Sequence, residues 1–206
     1  AAAAKKAADT AAAAENAAAN DAANKPAATD NGQDQPGPGV PPAIPTPIAF
    51  ETKQRPVRGE KNTPITLIEF SDFECPYCQK FGQSLKTALK AAPGKFNYVF
   101  KHFPLDKKCN PSIESDFHKF SCEASYAMIC AQRDGKEWEM HDLIFDNQQK
   151  LKAESFTLFA QELGIPLNTF NACMTAPETK RIVLADIAEG IKAGIQGTPA
   201  VFVNGI

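Results

Sequence analysis

The sequence has no apolar run that approaches the length of a membrane-spanning helix, and it has no strong excess of charge of either sign. The formal net charge is −2 at pH 7, and residues 50–206 carry 19 basic and 19 acidic residues. This balance gives no electrostatic footprint for nucleic acid or for an anionic lipid surface, so we expect neither as a partner. No signal peptide is recognisable. Because the chain starts with alanine, we expect a processed protein or a part of a longer one.

Residues 1–49 lack aromatic residues, and a segment without them cannot supply an ordinary packed core. Alanine accounts for 17 of the first 28 residues, and seven prolines lie between Pro26 and Pro47. We predict a low-complexity Ala/Pro-rich tether over residues 1–49 that spaces the rest from a membrane anchor or a fused domain. An Ala-rich dimerisation helix is the alternative. Residues 50–206 hold every aromatic residue and every cysteine, which suits one domain of ordinary size.

Two of the six cysteines lie in the tetrapeptide Cys75-Pro76-Tyr77-Cys78, which follows the apolar run 65–70. Pro76 favours the first turn of a helix, and this places Cys75 at the helix N-terminus, where unpaired N–H groups and the macrodipole favour a thiolate. In such motifs the pKa of the thiol falls from ~8.5 to between ~3.5 and ~7. Cys78 lies one turn further along on the same face and is better shielded. The spacing predicts a redox dithiol in which Cys75 attacks and Cys78 resolves the mixed disulfide.

Half of a zinc site is the other chemistry that this spacing permits, because paired cysteines also bind zinc. The sequence has no second Cys-x-x-Cys pair and no His-x(3–5)-His pair. We therefore predict no metal site and no cofactor apart from the redox-active disulfide itself.

Four further cysteines are Cys109, Cys122, Cys130 and Cys173. Cys122 and Cys130 lie in one predicted helix, ~12 Å apart, which is too far for a disulfide. The pairings 109–122 with 130–173 and 109–130 with 122–173 both remain; we favour the first because Cys109 lies in a loop that enters the Cys122 helix. Either pairing would indicate an oxidising compartment, whereas four buried thiols would suit a cytosolic protein.

Hydrophobic periodicity and Gly/Pro punctuation predict an α/β domain. We expect strands over 50–57, 65–70, 96–103 and 197–205, and the first helix over 76–92, which makes a parallel βαβ unit. The expected later helices are 114–133, 136–149, 155–163, 167–174 and 178–193. Asn204-Gly205 indicates a hairpin turn, and a strand would be expected after it, so the sheet looks cut short at Ile206.

The segment 70–78 with Cys-Pro-Tyr-Cys, together with Gly197-Thr198-Pro199-Ala200, resembles the thioredoxin superfamily. The segment Trp138-Glu139-Met140-His141-Asp142 is similar to its DsbA-like branch of exported thiol–disulfide oxidoreductases. The resemblance implies a thioredoxin fold with a helical domain inserted at about residues 104–193 and a cis peptide before Pro199. It implies that substrate is bound at Pro76, Tyr77, Thr198 and Pro199, with Thr198 offering backbone hydrogen bonds. It also implies that Glu69 assists proton transfer to Cys78. Lys101, on the neighbouring predicted strand, is a candidate partner of Glu69, and an ordinary salt bridge at the strand edge is the alternative.

Lys101-His102-Phe103-Pro104-Leu105, with Cys109-Asn110 and Cys122-Glu123-Ala124, is similar to DsbA-like domains that partner or are fused to vitamin K epoxide reductase homologues. That comparison suggests Cys130–Cys173 as the second structural disulfide beside Cys109–Cys122. It implies a periplasmic or extracytoplasmic location and a membrane reoxidant, a quinone reductase of the DsbB or vitamin K epoxide reductase type.

The function expected from these features is donation of disulfides to exported proteins through Cys75 and Cys78. One alternative is a disulfide reductase or isomerase that uses the same dithiol. An alternative of another class is a non-catalytic holdase that binds exposed peptides through the surface at Thr198-Pro199. Substrate proteins with thiols or disulfides are the expected partners in each case.

Overall fold

A computed structural model describes residues 45–115 and 117–206 of the chain. The predicted tether and the alternative dimerisation helix lie outside these residues, apart from residues 45–49. That short stretch is exposed, and Ile48 N–H donates to the carbonyl oxygen of Gly205 at 2.8 Å. The tether over residues 1–49 therefore stays a prediction.

A four-stranded mixed sheet with the order β1-β3-β2-β4 lies at the centre of the domain. Its strands are β1 (Val57–Arg58), β2 (Ile65–Ser71), β3 (Phe96–His102) and β4 (Ala200–Val203). The predicted βαβ unit is confirmed, because β2 and β3 are parallel and helix α1 (Pro76–Ala91) connects them. The strands β1 and β4 pair antiparallel with β3 and β2, respectively.

Five further helices follow β3, and they agree with the predicted helical region. They are α2 (Ser121–Gln132), α3 (Glu137–Asp146), α4 (Ser155–Glu162), α5 (Leu167–Thr175) and α6 (Pro177–Lys192), with a short 3₁₀ helix at Gln148–Lys150. The helix expected over 114–133 begins only at Ser121. Its expected first turn is displaced because Phe120 N–H donates to the Glu74 carboxylate and His118 N–H to the Leu105 carbonyl oxygen. Tertiary partners thus replace the first turn of that helix.

The two faces of the sheet bury different sets of side chains, as the period-2 alternation of strands requires. On one face Phe70 and Val99 pack with Val183 and Ile187 of α6. On the other face Tyr98 and Phe100 pack with Phe73, α1 and the helices α2 and α3, and this cluster contains Cys75 and Cys78. The helix α6 thus covers the sheet directly, although it falls within the expected insertion at about residues 104–193.

The first predicted strand, residues 50–57, is reduced to the two residues of β1. Phe50 turns its ring onto Phe70 and Phe202, with ring centroids 5.3 Å and 4.7 Å apart. A turn follows, in which Arg55 N–H donates to the carbonyl oxygen of Thr52. Pro56 then has no N–H for a ladder, so pairing starts only at Val57.

The predicted turn at Asn204-Gly205 is present, with φ values of 50° and 86°. Both residues lie in the left-handed region that a two-residue hairpin turn requires. Gly205 is also required by space, since a Cβ atom there would lie 2.4 Å from the Ile48 carbonyl oxygen.

Disulfide bonds join Cys109 to Cys122 and Cys130 to Cys173, which is the first of the two pairings considered above. The bridge Cys109–Cys122 ties the loop after β3 to the first turn of α2. The bridge Cys130–Cys173 joins the end of α2 to α5. Among the described residues, no helix is both long and apolar enough to cross a membrane.

Candidate active site

The segment Cys75-Pro76-Tyr77-Cys78 lies where the buried strand β2 gives way to α1. Cys75 is the N-cap residue and Pro76 opens the helix, so the N–H groups of the first turn point towards the Cys75 sulfur. Cys75 and Cys78 are not joined by a disulfide in this structure and are 5% and 0% exposed. Tyr77 is 68% exposed. The attacking thiol is therefore almost covered, while the residue beside it projects into solvent.

Several donors converge on the Cys75 sulfur and lower its pKa to about 5. The hydrogen bond from the Cys78 thiol is the largest cause, and burial of the sulfur works against it. The Thr198 hydroxyl and the N–H groups of Tyr77 and Cys78 lower the pKa further. Cys75 is thus a thiolate at neutral pH, as the sequence pattern predicts.

Cys78 shows the opposite behaviour. Burial, the proton that it shares with Cys75, and the nearby Glu69 carboxylate raise the pKa of Cys78 far above its ordinary value. The N–H of Asp72 donates to the Cys78 sulfur at 3.5 Å. The two thiols therefore differ strongly in acidity, as an attacking and a resolving thiol do.

The peptide bond between Thr198 and Pro199 is cis, and the loop that contains it lies against the dithiol. The Cys75 thiol lies 3.3 Å from the Thr198 carbonyl oxygen. Thr198 was expected to contribute through its backbone alone. Its hydroxyl is also buried, has no hydrogen-bond partner among the described residues, and lowers the pKa of Cys75.

Glu69 lies on β2 and is 1% exposed. Burial raises the pKa of Glu69 to about 7, and a hydrogen bond from the Tyr98 hydroxyl works against this rise. Glu69 Oε1 has no hydrogen-bond partner within the described part of the chain. The carboxyl group is therefore poised to exchange a proton near neutral pH.

The predicted pairing of Glu69 with Lys101 is wrong. Lys101 is opposite Phe70 in the β2–β3 register and points to the other face of the sheet. There its ammonium group lies 3.1 Å from Asp186 Oδ1 and also pairs with Glu189, both on α6. Tyr98 lies on the same face of the sheet as Glu69, and its hydroxyl, in place of the Lys101 ammonium group, is the hydrogen-bond partner of the Glu69 carboxylate.

Two polar residues that the sequence analysis did not single out hold the backbone of Cys75. Asp72 Oδ1 accepts the N–H groups of Glu74 at 2.6 Å and Cys75 at 3.1 Å. The Gln148 side-chain amide donates to the carbonyl oxygens of Phe73 at 2.8 Å and Cys75 at 2.9 Å. The proximity of Asp72 to the dithiol in the sequence was a usable signal. For Gln148 there was none, because it lies 73 residues from Cys75.

Among the described residues, no three His, Cys, Asp or Glu side chains lie close enough together to hold a metal ion. The two thiols interact with each other and with the Glu69 carboxyl group, while the Asp72 carboxylate accepts the backbone N–H of Cys75. This arrangement permits reversible formation of a disulfide between Cys75 and Cys78, with Glu69 as a proton donor or acceptor that interacts with Cys78.

A family model described as thioredoxin matches residues 51–206, so the chain belongs to the thioredoxin family. Its fold is similar to that of solved DsbA-like proteins. The oxidised form of BdbD from Bacillus subtilis is similar, with a TM-score of 0.62 and 22% identity over 76% of this chain and 84% of that chain. The thiol–disulfide exchange protein alpha-DsbA2 from Wolbachia pipientis has a TM-score of 0.62 and 18% identity over 73% of this chain and 76% of its own.

The sequence is also similar to part of a membrane transport protein. The Na(+)/H(+) antiporter NhaA 3 of Salinispora tropica is 30% identical over 149 residues, which is 72% of this chain and 21% of the antiporter. The chain spans about a fifth of the length of the curated relatives that it matches.

Proposed function

We propose that this protein donates disulfides to exported proteins through the Cys75–Cys78 pair. The observation that carries this direction is the low pKa of Cys75, about 5. A thiolate that is stabilised in this way favours the reduced form of the pair, and this makes the disulfide form a stronger oxidant. A pair with ordinary thiol pKa values would favour the reductase instead.

The reaction begins with the enzyme in its disulfide form. A substrate thiolate attacks the Cys75 sulfur, the Cys75–Cys78 bond breaks, and Cys78 leaves with the electron pair. Because the Cys78 thiolate is strongly disfavoured by burial, it needs a proton, and Glu69 with a pKa of about 7 can deliver one.

A second substrate thiolate then attacks the substrate sulfur of the mixed disulfide, and Cys75 leaves as a thiolate. Its low pKa makes it a good leaving group, so this step is fast. The substrate has lost two electrons and gained a disulfide, and the reduced pair requires an oxidant for the next cycle.

Substrate is bound, in this proposal, across the surface formed by Pro76, Tyr77, Thr198 and Pro199. Tyr77 is largely exposed beside the covered Cys75 sulfur, which supports a contact with an incoming chain. An extended peptide at Thr198 would add to the loop by main-chain hydrogen bonds. The same surface would serve a reductase, an isomerase or a peptide-binding holdase.

An extracytoplasmic location, in the periplasm or its equivalent, is supported by the disulfides Cys109–Cys122 and Cys130–Cys173, since such bonds persist in oxidising compartments. A membrane quinone reductase of the DsbB or vitamin K epoxide reductase type is the reoxidant that we propose. The match to a segment of an antiporter supports a second possibility, namely that the domain acts as a redox module beside a membrane transport protein.

A glutathione titration of the dithiol tests the direction. We expect a potential near about −120 mV, whereas one near about −270 mV assigns the protein to the reductases. Oxidative refolding and insulin reduction should both be lost in Cys75→Ser. Full activity in that variant, as a holdase would show, rejects the redox function altogether.

A second experiment identifies the partners. Replacement of the resolving thiol in Cys78→Ser leaves mixed disulfides unresolved, so captured proteins can be identified from cells that express the variant. Capture of diverse secreted proteins supports disulfide donation, whereas capture of a single membrane transport protein supports the module.

A further inference from the structure

A buried carboxylate, Asp72, adjoins the dithiol, and a partly exposed imidazole, His118, lies against that carboxylate. Asp72 is 0% exposed, and His118 Nδ1 lies 2.9 Å from Asp72 Oδ2. The same carboxylate accepts N–H bonds from Leu105 and from Cys75 itself. Asp72 thus connects the active-site loop with the segment that carries His118.

The position of Asp72 disfavours the thiolate form of Cys75. Its carboxylate carries a negative charge within hydrogen-bond distance of the Cys75 backbone, and its own N–H donates to the Cys78 sulfur. A buried negative charge beside a thiol disfavours the thiolate. A second carboxylate, that of Glu74, lies close to Asp72, because the Ser121 hydroxyl is within 3.0 Å of both carboxylates; Glu74 also accepts the Phe120 N–H at 2.7 Å.

We infer that protonated His118 is the charge partner of the buried Asp72 carboxylate and that it offsets this negative charge, which keeps the Cys75 sulfur in its reactive thiolate form. His118 is a positioning residue in this scheme, because it acts on Cys75 through Asp72. The inference rests on the proposed thiol–disulfide function and adds a residue to it that lies 43 positions away in sequence.

The surroundings of His118 fit this role. The groups that face it are Asp72, Glu74 and Cys75, and all three raise its pKa, while partial burial opposes them. On its own segment Lys119 is exposed, and the Lys108 ammonium group lies at the Lys119 carbonyl oxygen and near Glu123. Negative groups therefore dominate around the ring, and they favour its charged form.

The coupling must be reciprocal, because two sites that affect each other's protonation do so by the same free energy. If His118 stabilises the Cys75 thiolate, the thiolate stabilises the charge on His118. Oxidation of the dithiol removes the thiolate, so the pKa of His118 must fall in the disulfide form. A purely structural contact between His118 and Asp72 would not produce this change.

Two measurements test the inference. The first is the rate of Cys75 alkylation by iodoacetamide as a function of pH. At pH about 5 we expect a roughly three- to tenfold loss of rate in His118→Gln, since a shift of one pKa unit is about tenfold in thiolate fraction. The matched control Lys119→Gln also removes one positive charge and should leave the rate unchanged. The double variant Asp72→Asn/His118→Gln, which lacks both charges, should recover it.

The second measurement is the NMR titration of the histidine rings in the reduced and the oxidised wild-type protein. Burial lowers the pKa of His102 to about 3 and that of His141 to about 4, whereas the pKa of His118 is raised, so the titration of His118 is separate from the other two. We expect a lower pKa for His118 in the oxidised protein. Because this measurement uses only the wild-type protein, it tests the inference even if His118→Gln fails to fold.

An unshifted alkylation profile in folded His118→Gln, or the same pKa of His118 in both redox states, overturns the inference. The proposed function is rejected by a different result: no disulfide exchange between the wild-type protein and a peptide substrate. That result does not depend on the His118 variants.

Discussion

Tyr98 on β3 donates a hydrogen bond to the carboxylate of Glu69 on β2, and both side chains are 1% exposed. Burial holds the pKa of Glu69 near 7, and the tyrosine hydroxyl keeps it from rising further. In turn, burial and the Glu69 carboxylate raise the pKa of Tyr98 well above its ordinary value, so Tyr98 remains a donor. The pair therefore stores a proton beside Cys78 that can be exchanged near neutral pH.

Replacement of Glu69 by glutamine should slow the step in which Cys78 leaves. Positioned proton transfer contributes about 10²- to 10⁴-fold in enzymes, so we expect at least a tenfold fall in the rate at which peptide thiols reduce the oxidised protein. Tyr98→Phe keeps the carboxyl group but raises its pKa, which should move the pH profile of this rate upward. An unchanged profile in both variants, measured by stopped-flow fluorescence, would exclude Glu69 from proton transfer.

Replacement of Glu69 by glutamine should also stabilise the folded protein at high pH. The pKa of Glu69 is raised from 4.5 to about 7, so its contribution to stability is present below pH 4.5 and is lost as the pH rises through 7. We expect oxidised Glu69→Gln to exceed the oxidised wild type by up to about 3 kcal/mol at pH about 8, with little difference at pH about 4. Denaturant unfolding at both pH values checks this, and an equal difference at both would contradict it.

Removal of the resolving thiol should raise the pKa of Cys75. The hydrogen bond from Cys78 is the largest cause of the low value, so Cys78→Ala should leave roughly tenfold less Cys75 thiolate at pH about 5. Thr198→Val removes a lesser donor and should have a smaller effect in the same direction. The pH dependence of alkylation measures both, and a larger effect of Thr198→Val would reverse the assigned order.

The two structural disulfides should differ in their effects. Cys130–Cys173 closes a loop of 43 residues and Cys109–Cys122 one of 13, so alanine replacement of both cysteines should cost about 4 and about 3 kcal/mol, respectively. Only the loss of Cys109–Cys122 should also reduce exchange activity, because this bridge anchors the segment that carries His118. Thermal unfolding and peptide oxidation assays separate the two effects.

The close packing of α6 on the sheet depends on Gly190. A Cβ atom at this position would lie 2.6 Å from the ring of Phe103, so Gly190→Ala should destabilise the protein by about 1–3 kcal/mol. The control Gly82→Ala, in α1, meets only the His141 ring at 3.9 Å and should stabilise by up to about 1 kcal/mol through helix propensity. Equal effects of the two substitutions would refute this account.

Local patterns predicted the part of the molecule that depends on near neighbours. The βαβ unit, the helix start at Pro76 and the turn at Asn204-Gly205 follow from periodicity, from the fixed φ of proline and from residues that tolerate positive φ. The helix start at Ser121 did not follow, because Glu74 replaces its expected first turn from another part of the chain. Lys101 is excluded as a partner of Glu69 because the register of β2 and β3 pairs Glu69 with Phe100, which puts Lys101 on the opposite face of the sheet. Strand alternation without that register could not exclude it.

The sequence by itself determined the chemistry of this protein, since two thiols three residues apart at a helix N-terminus can form a disulfide and favour a thiolate at the first of them. Only the tertiary structure decided which groups tune that dithiol. Tyr98 and Gln148 contact this site from two other segments, and no local periodicity records which distant side chains a fold brings into hydrogen-bond distance. Charge and hydrogen bonding act through space, so the acidity of Cys75 is a property of the packed domain.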